Sequence, residues 1–440
     1  MRLRSLVVPI VALIAFLSLA PVAALASTTP TEAAATAAAK ADHTAYTLSP
    51  EKTAKAIELS HFYDTLYFVR DGWGILSLFL ILHLGIAARI RNVTENLSGH
   101  RWVQGPAFAA LFLLTYTLAN LPVLMLGHWK SFKEGFSVEH WGPWLGDQGK
   151  TFVVDGLMLS LFVMLLFWII RKFPRRWWLW LWFPSVLIAG FATYVTPLWI
   201  DPLYHKFEPL SQSNPALVEQ IEKIAQHAGI DVPRERMFVM KASAKTTLLN
   251  AYVTGFGSSK RLVVWDTTIK KATPDEIALL AGHEMGHYVL GHIVRGMVLG
   301  FVGMLAAFFV AFRVFQWLLR RCGARWGIRS QDDWAALALM FLVMSVLFFL
   351  STPIQNAFSR GIEQDADIFG LEAVHGIIAD PQATGQAEFQ LLGENQLLET
   401  EPNAFVEFWT DSHPSIPFRA AFAKHYDPWV PGAEPKFFKK

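Results

Sequence analysis

The sequence predicts a mainly α-helical, polytopic membrane bundle of six or seven spans, with a small α+β domain built on a zinc-hydrolase motif inserted between spans. Three observations carry that prediction. Of 440 residues, 53% are apolar and only 17% charged, too greasy a composition for an ordinary soluble enzyme. Six apolar runs, at 72–88, 105–127, 151–170, 177–199, 296–319 and 334–353, are each about long enough to cross a hydrocarbon core of about 30 Å as a helix. Between the fourth and fifth runs, His283-Glu284-Met285-Gly286-His287 spaces two histidines four positions apart, so that on a helix they face the same way and can grip one metal ion.

From the N-terminus, Met1-Arg2-Leu3-Arg4 is a basic start, followed by an apolar stretch and Ala24-Leu25-Ala26 before Ser27. Residues 1–26 read as a signal peptide with an A-x-A cleavage site. The alternative is an uncleaved first transmembrane helix, which would bring the count to seven. The Ala/Thr-rich stretch 27–44 reads as a low-complexity, disordered linker, the first part of an extramembrane segment over 27–71. Four spans follow within 72–199, with Trp177, Trp178 and Trp199 at helix ends, where an amphipathic ring suits the interface.

Basic side chains gather in three loops: Arg89, Arg91 and Arg101; Arg171, Lys172, Arg175 and Arg176; and Arg320, Arg321, Arg325 and Arg329. If the spans alternate, all three fall on one side, which the positive-inside rule makes the cytoplasm. The soluble stretch 200–295 and the C-terminal part 354–440, separated by a transmembrane hairpin over 296–353, then lie outside it. In a bacterium that is the periplasmic side of the inner membrane. The 38 basic and 36 acidic groups nearly cancel, so the expected partner is the lipid bilayer and not nucleic acid. The single cysteine, Cys322, excludes an intramolecular disulfide framework and a Cys-rich metal site.

Within 200–295 the character changes. Asn214-Pro215 opens an amphipathic helix whose Leu217, Ile221, Ile224 and Ala228 share one face, closed by Gly229. Short β-branched runs at 237–240, 248–254 and 261–265 read as strands. Asn250, Ala251, Tyr252 and Val253 form the candidate edge strand, because an exposed edge beside a metal cleft can pair with an extended peptide; an ordinary interior strand is the other reading. Thr273-Pro274-Asp275-Glu276 supplies an N-cap, a first-turn proline and a Glu three residues after the cap, which starts the helix that carries the motif.

A catalytic zinc needs a third protein ligand and an open position for water. Past the last span, Glu363 and Asp367 are four apart and share a helix face. Glu363 can join His283 and His287 on the metal, while Asp367 accepts the free ring N–H of a ligand histidine. Glu284, inside the motif, is placed to take a proton from the activated water. His292, five residues after His287, lies off its face on a continuous helix and reads as structural or as a support to a ligand.

These residues carry a family resemblance. The motif with Gly291-His292, then Ser359-Arg360-x-x-Glu363-x-x-Ala366-Asp367, with Pro202-Leu203-Tyr204-x-Lys206-Phe207-x-Pro209-Leu210 and Asn250-Ala251-Tyr252-Val253-x-Gly255 upstream, resembles the integral-membrane zinc endopeptidases of the CAAX prenyl protease type, over about 45–428. The resemblance implies a metallopeptidase domain with one zinc ion per chain on His283, His287 and Glu363, and Glu284 as general base. It also implies that His413, in His413-Pro414, and Arg419 contribute to the catalytic site, either being a donor to the oxyanion. It implies seven helices around a large intramembrane chamber if the N-terminal segment is retained.

The eukaryotic members face the cytosol, whereas the charge pattern puts this site outside it. The expected substrates are therefore peptides or proteins that are membrane-associated or exported, without a prenyl group being required. Two other readings stay open: a polytopic transporter or scaffold with a vestigial motif, and a zinc hydrolase of a non-peptide substrate. The first predicts no zinc. The second has no use for an edge strand.

Overall fold

The structure, a computed structural model, describes residues 28–255 and 257–438. The expected signal peptide or first helix at 1–26 lies outside the described residues.

Helix α1, Pro30–Ala41, stands where a disordered linker was expected. Thr29 and Glu32 close a capping box around Pro30, and alanine is the best helix former. Its small face, Ala35 and Ala39, is buried against the last helix of the chain. The compositional bias that looked like a linker is a close-packing stripe.

Helix α2, Pro50–His83, is continuous through the expected boundary at residue 72, so the extramembrane segment at 27–71 is largely helix. Its first half is polar and carries Lys55 and Glu58, which join Lys130 and Glu134 in one ion network. A left-handed turn at Gly85 (φ +67°) leads into the short amphipathic α3, Ile86–Leu97. Then come α4, Arg101–Lys133; α5, Trp141–Lys172; and α6, Trp177–Val195, which runs on through a π turn, Thr196–Ile200, to Tyr204.

The inserted domain follows. It comprises β1, Phe207–Pro209; α7, Pro215–His227; β2, Met237–Met240; β3, Ala251–Thr254; β4, Arg261–Trp265; α8, Asp266–Lys271; and α9, Pro274–Val289. Two long helices, α10, His292–Cys322, and α11, Ala336–Ala373, form the hairpin. The chain ends with α12, Pro381–Gln396; α13, Ala404–Thr410; and α14, Ile416–His425. Among the described residues six helices are long and apolar enough to cross a membrane: α2, α4, α5, α6 with its extension, α10 and α11.

The four strands form one mixed sheet in the order β1-β2-β4-β3. β4 pairs parallel with β2 and antiparallel with β3, in the register Ala251↔Val264 to Thr254↔Arg261. β3 is therefore an edge. One core joins this sheet, α1, α7, α9, the last turns of α11, α12 and α14, with Val218, Ile221, Val264, Ala278 and Ile368 fully enclosed.

A second core lies at the other end of the bundle, where Leu82, Phe108, Phe167, Phe315 and Trp334 pack together. The three basic loops meet there: Arg91 bonds Asp333 and the Gly327 carbonyl, Arg329 pairs with Glu95, and Gln331 reaches the Pro174 carbonyl. A cavity of about 570 Å³, lined by Tyr67, His128, Trp144 and Lys245 among others, opens between α2, α4 and α5.

Candidate metal centre

Two helices bring the site together by crossing closely. On α9, Gly282 and Gly286 face α11; a Cβ on Gly286 would lie 3.0 Å from Phe369 Cβ and 3.2 Å from Ala366 Cα. On α11, a Cβ on Gly370 would come within 2.9 Å of the His283 backbone nitrogen. Without these glycines the two backbones could not approach, and the side chains they carry could not share one ion.

His283 and His287 come from α9, one turn apart, and Glu363 from α11. His283 Nε2 is 3.2 Å from His287 Nε2 and 3.3 Å from Glu363 Oε2, and His287 Nε2 is 3.5 Å from the same oxygen. Tetrahedral zinc with bonds of about 2.0–2.1 Å sets its ligand atoms about 3.3–3.4 Å apart. The three edges here, 3.2, 3.3 and 3.5 Å, bracket that figure. Glu363 Oε2 is buried without an aligned hydrogen-bond donor although three ring nitrogens approach it, which suits an atom that faces a cation. Among the described residues this is the one group of three or more His, Cys, Asp or Glu whose ligand atoms converge in this way.

The electrostatics favour positive charge here. Burial alone would strip the His283 ring of its proton, but the Asp367 carboxylate bonded to it and the Glu363 carboxylate beside it outweigh burial and raise the pKa to about 10. His283 Nδ1 lies 2.8 Å from Asp367 Oδ1, an arrangement that fixes the ring with Nε2 toward the other ligands. Next to this pair, Glu388 on α12 is buried, and burial pushes its carboxyl up to about 8.

Glu284 points from α9 toward the sheet, where its Oε2 accepts the Val253 N–H at 2.9 Å. Val253 is on β3, so its amide faces outward from the edge; by the two-residue period of a strand, so does that of Ala251. Asn250, just before the strand, has its backbone held by Thr268 and Trp265 and its side chain exposed. Tyr252 turns its ring toward Met240 on the other face.

His413 lies in the loop between α13 and α14, with its side chain half exposed and its Nε2 3.2 Å from Glu363 Oε2. Arg360 ties that loop to α11 by donating to the Glu407 and Asp411 carbonyls, and Asn356 donates to the Trp409 carbonyl. Arg419 differs from the expectation that it could serve the oxyanion. Its side chain is 10% exposed, and its Nε and Nη2 both donate to Asp367, at 2.8 and 2.6 Å. Both donors are thereby committed to Asp367. His292, predicted to lie off the His287 face, instead places its Nδ1 3.1 Å from His287 Nδ1.

The comparisons agree with this architecture. The family model described as peptidase family M48 matches residues 211–427, and the one described as CAAX prenyl protease N-terminal, five membrane helices, matches residues 35–206. The metalloprotease YhfN of Bacillus subtilis is 32% identical over 377 residues, 86% of each chain. CAAX prenyl protease 1 of Saccharomyces cerevisiae is 31% identical over 204 residues, 44% of this chain and 43% of the other. The crystal structure of S. mikatae Ste24p superposes with a TM-score of 0.70 at 20% identity, covering 91% of this chain and 100% of that one, a likeness of fold.

Proposed function

The chain belongs to peptidase family M48, with the N-terminal membrane domain described for CAAX prenyl proteases, and is an integral-membrane metalloprotease; from that premise we propose how its residues divide the work. His283, His287 and Glu363 hold one zinc ion per chain, the three edges of their triangle being the observation that carries the reading. Bound there, zinc would supply Lewis acidity, lowering the pKa of a water and polarising the carbonyl under attack. Glu284 takes the water's proton and returns it to the departing amine. His413 donates its Nε2–H to the developing oxyanion. Asp367 orients His283, and Arg419 holds Asp367.

The substrate is a peptide in extended form, added as a fifth strand along β3 through the outward groups of Ala251 and the outward Val253 carbonyl, the Val253 N–H being held by Glu284, with Asn250 and Tyr252 flanking them. Glu284 sits against the same edge, so the base is positioned by the strand that would align the scissile bond. Family membership sets aside the transporter and scaffold readings. The metal centre lies at the end of the bundle away from the basic loops, which supports an extracytoplasmic site, at the periplasmic face of a bacterial inner membrane. Its substrates there are membrane-associated or exported proteins.

The test is metal analysis of the purified, detergent-solubilised chain beside its cleavage of an unstructured, membrane-tethered peptide. One zinc per chain, with cleavage lost on chelation and restored by zinc, is the expected result. Cleavage that persists in zinc-free protein would overturn the reading.

A further inference from the structure

Each histidine that binds a metal through one ring nitrogen needs a partner for the other, and that partner decides which tautomer is present. For His283 the partner is Asp367. For His287 the sequence offers no carboxylate at the matching spacing. Its Nε2 is the atom that faces His283 and Glu363, so its Nδ1 points away from them. There it meets His292 Nδ1 at 3.1 Å, the two rings 5.2 Å apart between centroids and inclined at 72°.

The backbone explains how His292 reaches that place. On an unbroken helix, five residues would carry it well round from His287. Instead α9 ends at Val289, Gly291 adopts a left-handed conformation (φ +69°), and His292 begins α10 with its ring folded back and only 5% of its surface exposed. Space around Gly291 is open, so the glycine is required by its backbone angle and not by crowding.

We propose that His292 is a positioning residue for the metal centre: its Nδ1 lone pair accepts the His287 Nδ1–H and so leaves the His287 Nε2 lone pair facing His283 and Glu363. The inference rests on the zinc reading above. The acceptor is a neutral imidazole, whereas that of His283 is a carboxylate, so the two ligand rings differ in basicity. It is also the first residue of a membrane-crossing helix, which ties metal retention to the seating of α10. His292 is not itself a ligand, because it stands against the outer nitrogen of His287 and not beside the converging atoms.

The experiment uses the full chain in detergent, stripped of metal, with zinc affinity measured by chelator competition and unfolding of the metal-free protein followed in parallel. Asparagine places an acceptor oxygen close to where histidine has Nδ1. His292→Ala is expected to weaken zinc binding by about 10- to 100-fold, the usual effect of losing such a partner. His292→Asn is expected to recover most of that loss, and both variants should unfold, metal-free, near the wild-type temperature. Zinc affinity unchanged in His292→Ala overturns the proposal. So does His292→Asn as weak as alanine, which would mean that an imidazole ligand is needed, or a loss fully matched by metal-free destabilisation. A wild-type chain that binds no zinc overturns the functional reading together with this inference.

Discussion

Arg419 holds Asp367 with two parallel bonds, and Asp367 Oδ1, which takes the Arg419 Nη2 at 2.6 Å, also lies 2.8 Å from His283 Nδ1. The chain from α14 through α11 to α9 is thus one buried hydrogen-bonded unit. Removing the guanidinium leaves the Asp367 charge enclosed, a change that costs about 3–5 kcal/mol when a buried pair is broken. Arg419→Ala should therefore lower both the unfolding temperature and zinc affinity. Arg419→Lys, which keeps the charge and loses the fork, should fall between. An Arg419→Ala protein of normal stability and zinc content, but with slow turnover, would return Arg419 to the oxyanion.

What the sequence made legible was whatever depends on local pattern. Six apolar runs are visible as runs, and the motif helix announces itself through Thr273 and Glu276. The polar first half of α2 has no apolar signal, because it leaves the membrane run to form the Lys55–Glu58–Lys130–Glu134 network. Strand β1 is three residues ending in Pro209 and exists through its pairing with β2. The close crossing at Gly286 and Gly370 joins residues far apart in the chain. His292 reaches His287 because Gly291, just past the motif, stops the helix that its spacing alone would continue.

Glu284 and Glu363 should separate cleanly in mutagenesis. Glu284 bonds Val253 and does not belong to the converging triad, so Glu284→Gln should abolish cleavage and leave bound zinc nearly unchanged. Glu363→Ala removes a charged ligand and should lose both. Metal content by atomic absorption, beside a peptide assay, distinguishes them. Stoichiometric zinc in Glu363→Ala would move the third ligand elsewhere, with Asp367 the next candidate.

His413 is half exposed, bonded to its neighbour Ser412 and facing Glu363. If it donates to the oxyanion without holding metal, His413→Ala should keep its zinc and lower kcat by roughly a hundredfold, with KM less affected. Loss of zinc would instead make it a ligand.

Glu388 gives a pH dependence. Its folded pKa, about 8, stands above the usual 4.5, so between those values the folded chain keeps a proton that the unfolded chain has released. Stability therefore falls as pH rises through that window. Glu388→Gln, neutral and similar in shape, removes the slope. The variant and wild type should unfold at similar temperatures near pH 5, with the variant progressively more stable toward pH 8. A difference that does not grow with pH would show that the carboxyl is already ionised in the fold.

The orientation can be tested without any chemistry. Arg91–Asp333, Arg329–Glu95 and Gln331–Pro174 join the three basic loops into one surface, so they lie on the same side of the membrane whichever side that is. The metal centre is built at the opposite end, from elements that lead into α10 and out of α11. Positive residues near span ends are retained in the cytoplasm. A reporter that fluoresces only there should be bright when inserted in the loop at Arg175 and dark when fused after Lys440. A periplasmic phosphatase fusion should give the reverse. The opposite pattern at both sites would place the metal centre in the cytoplasm, and the substrates with it.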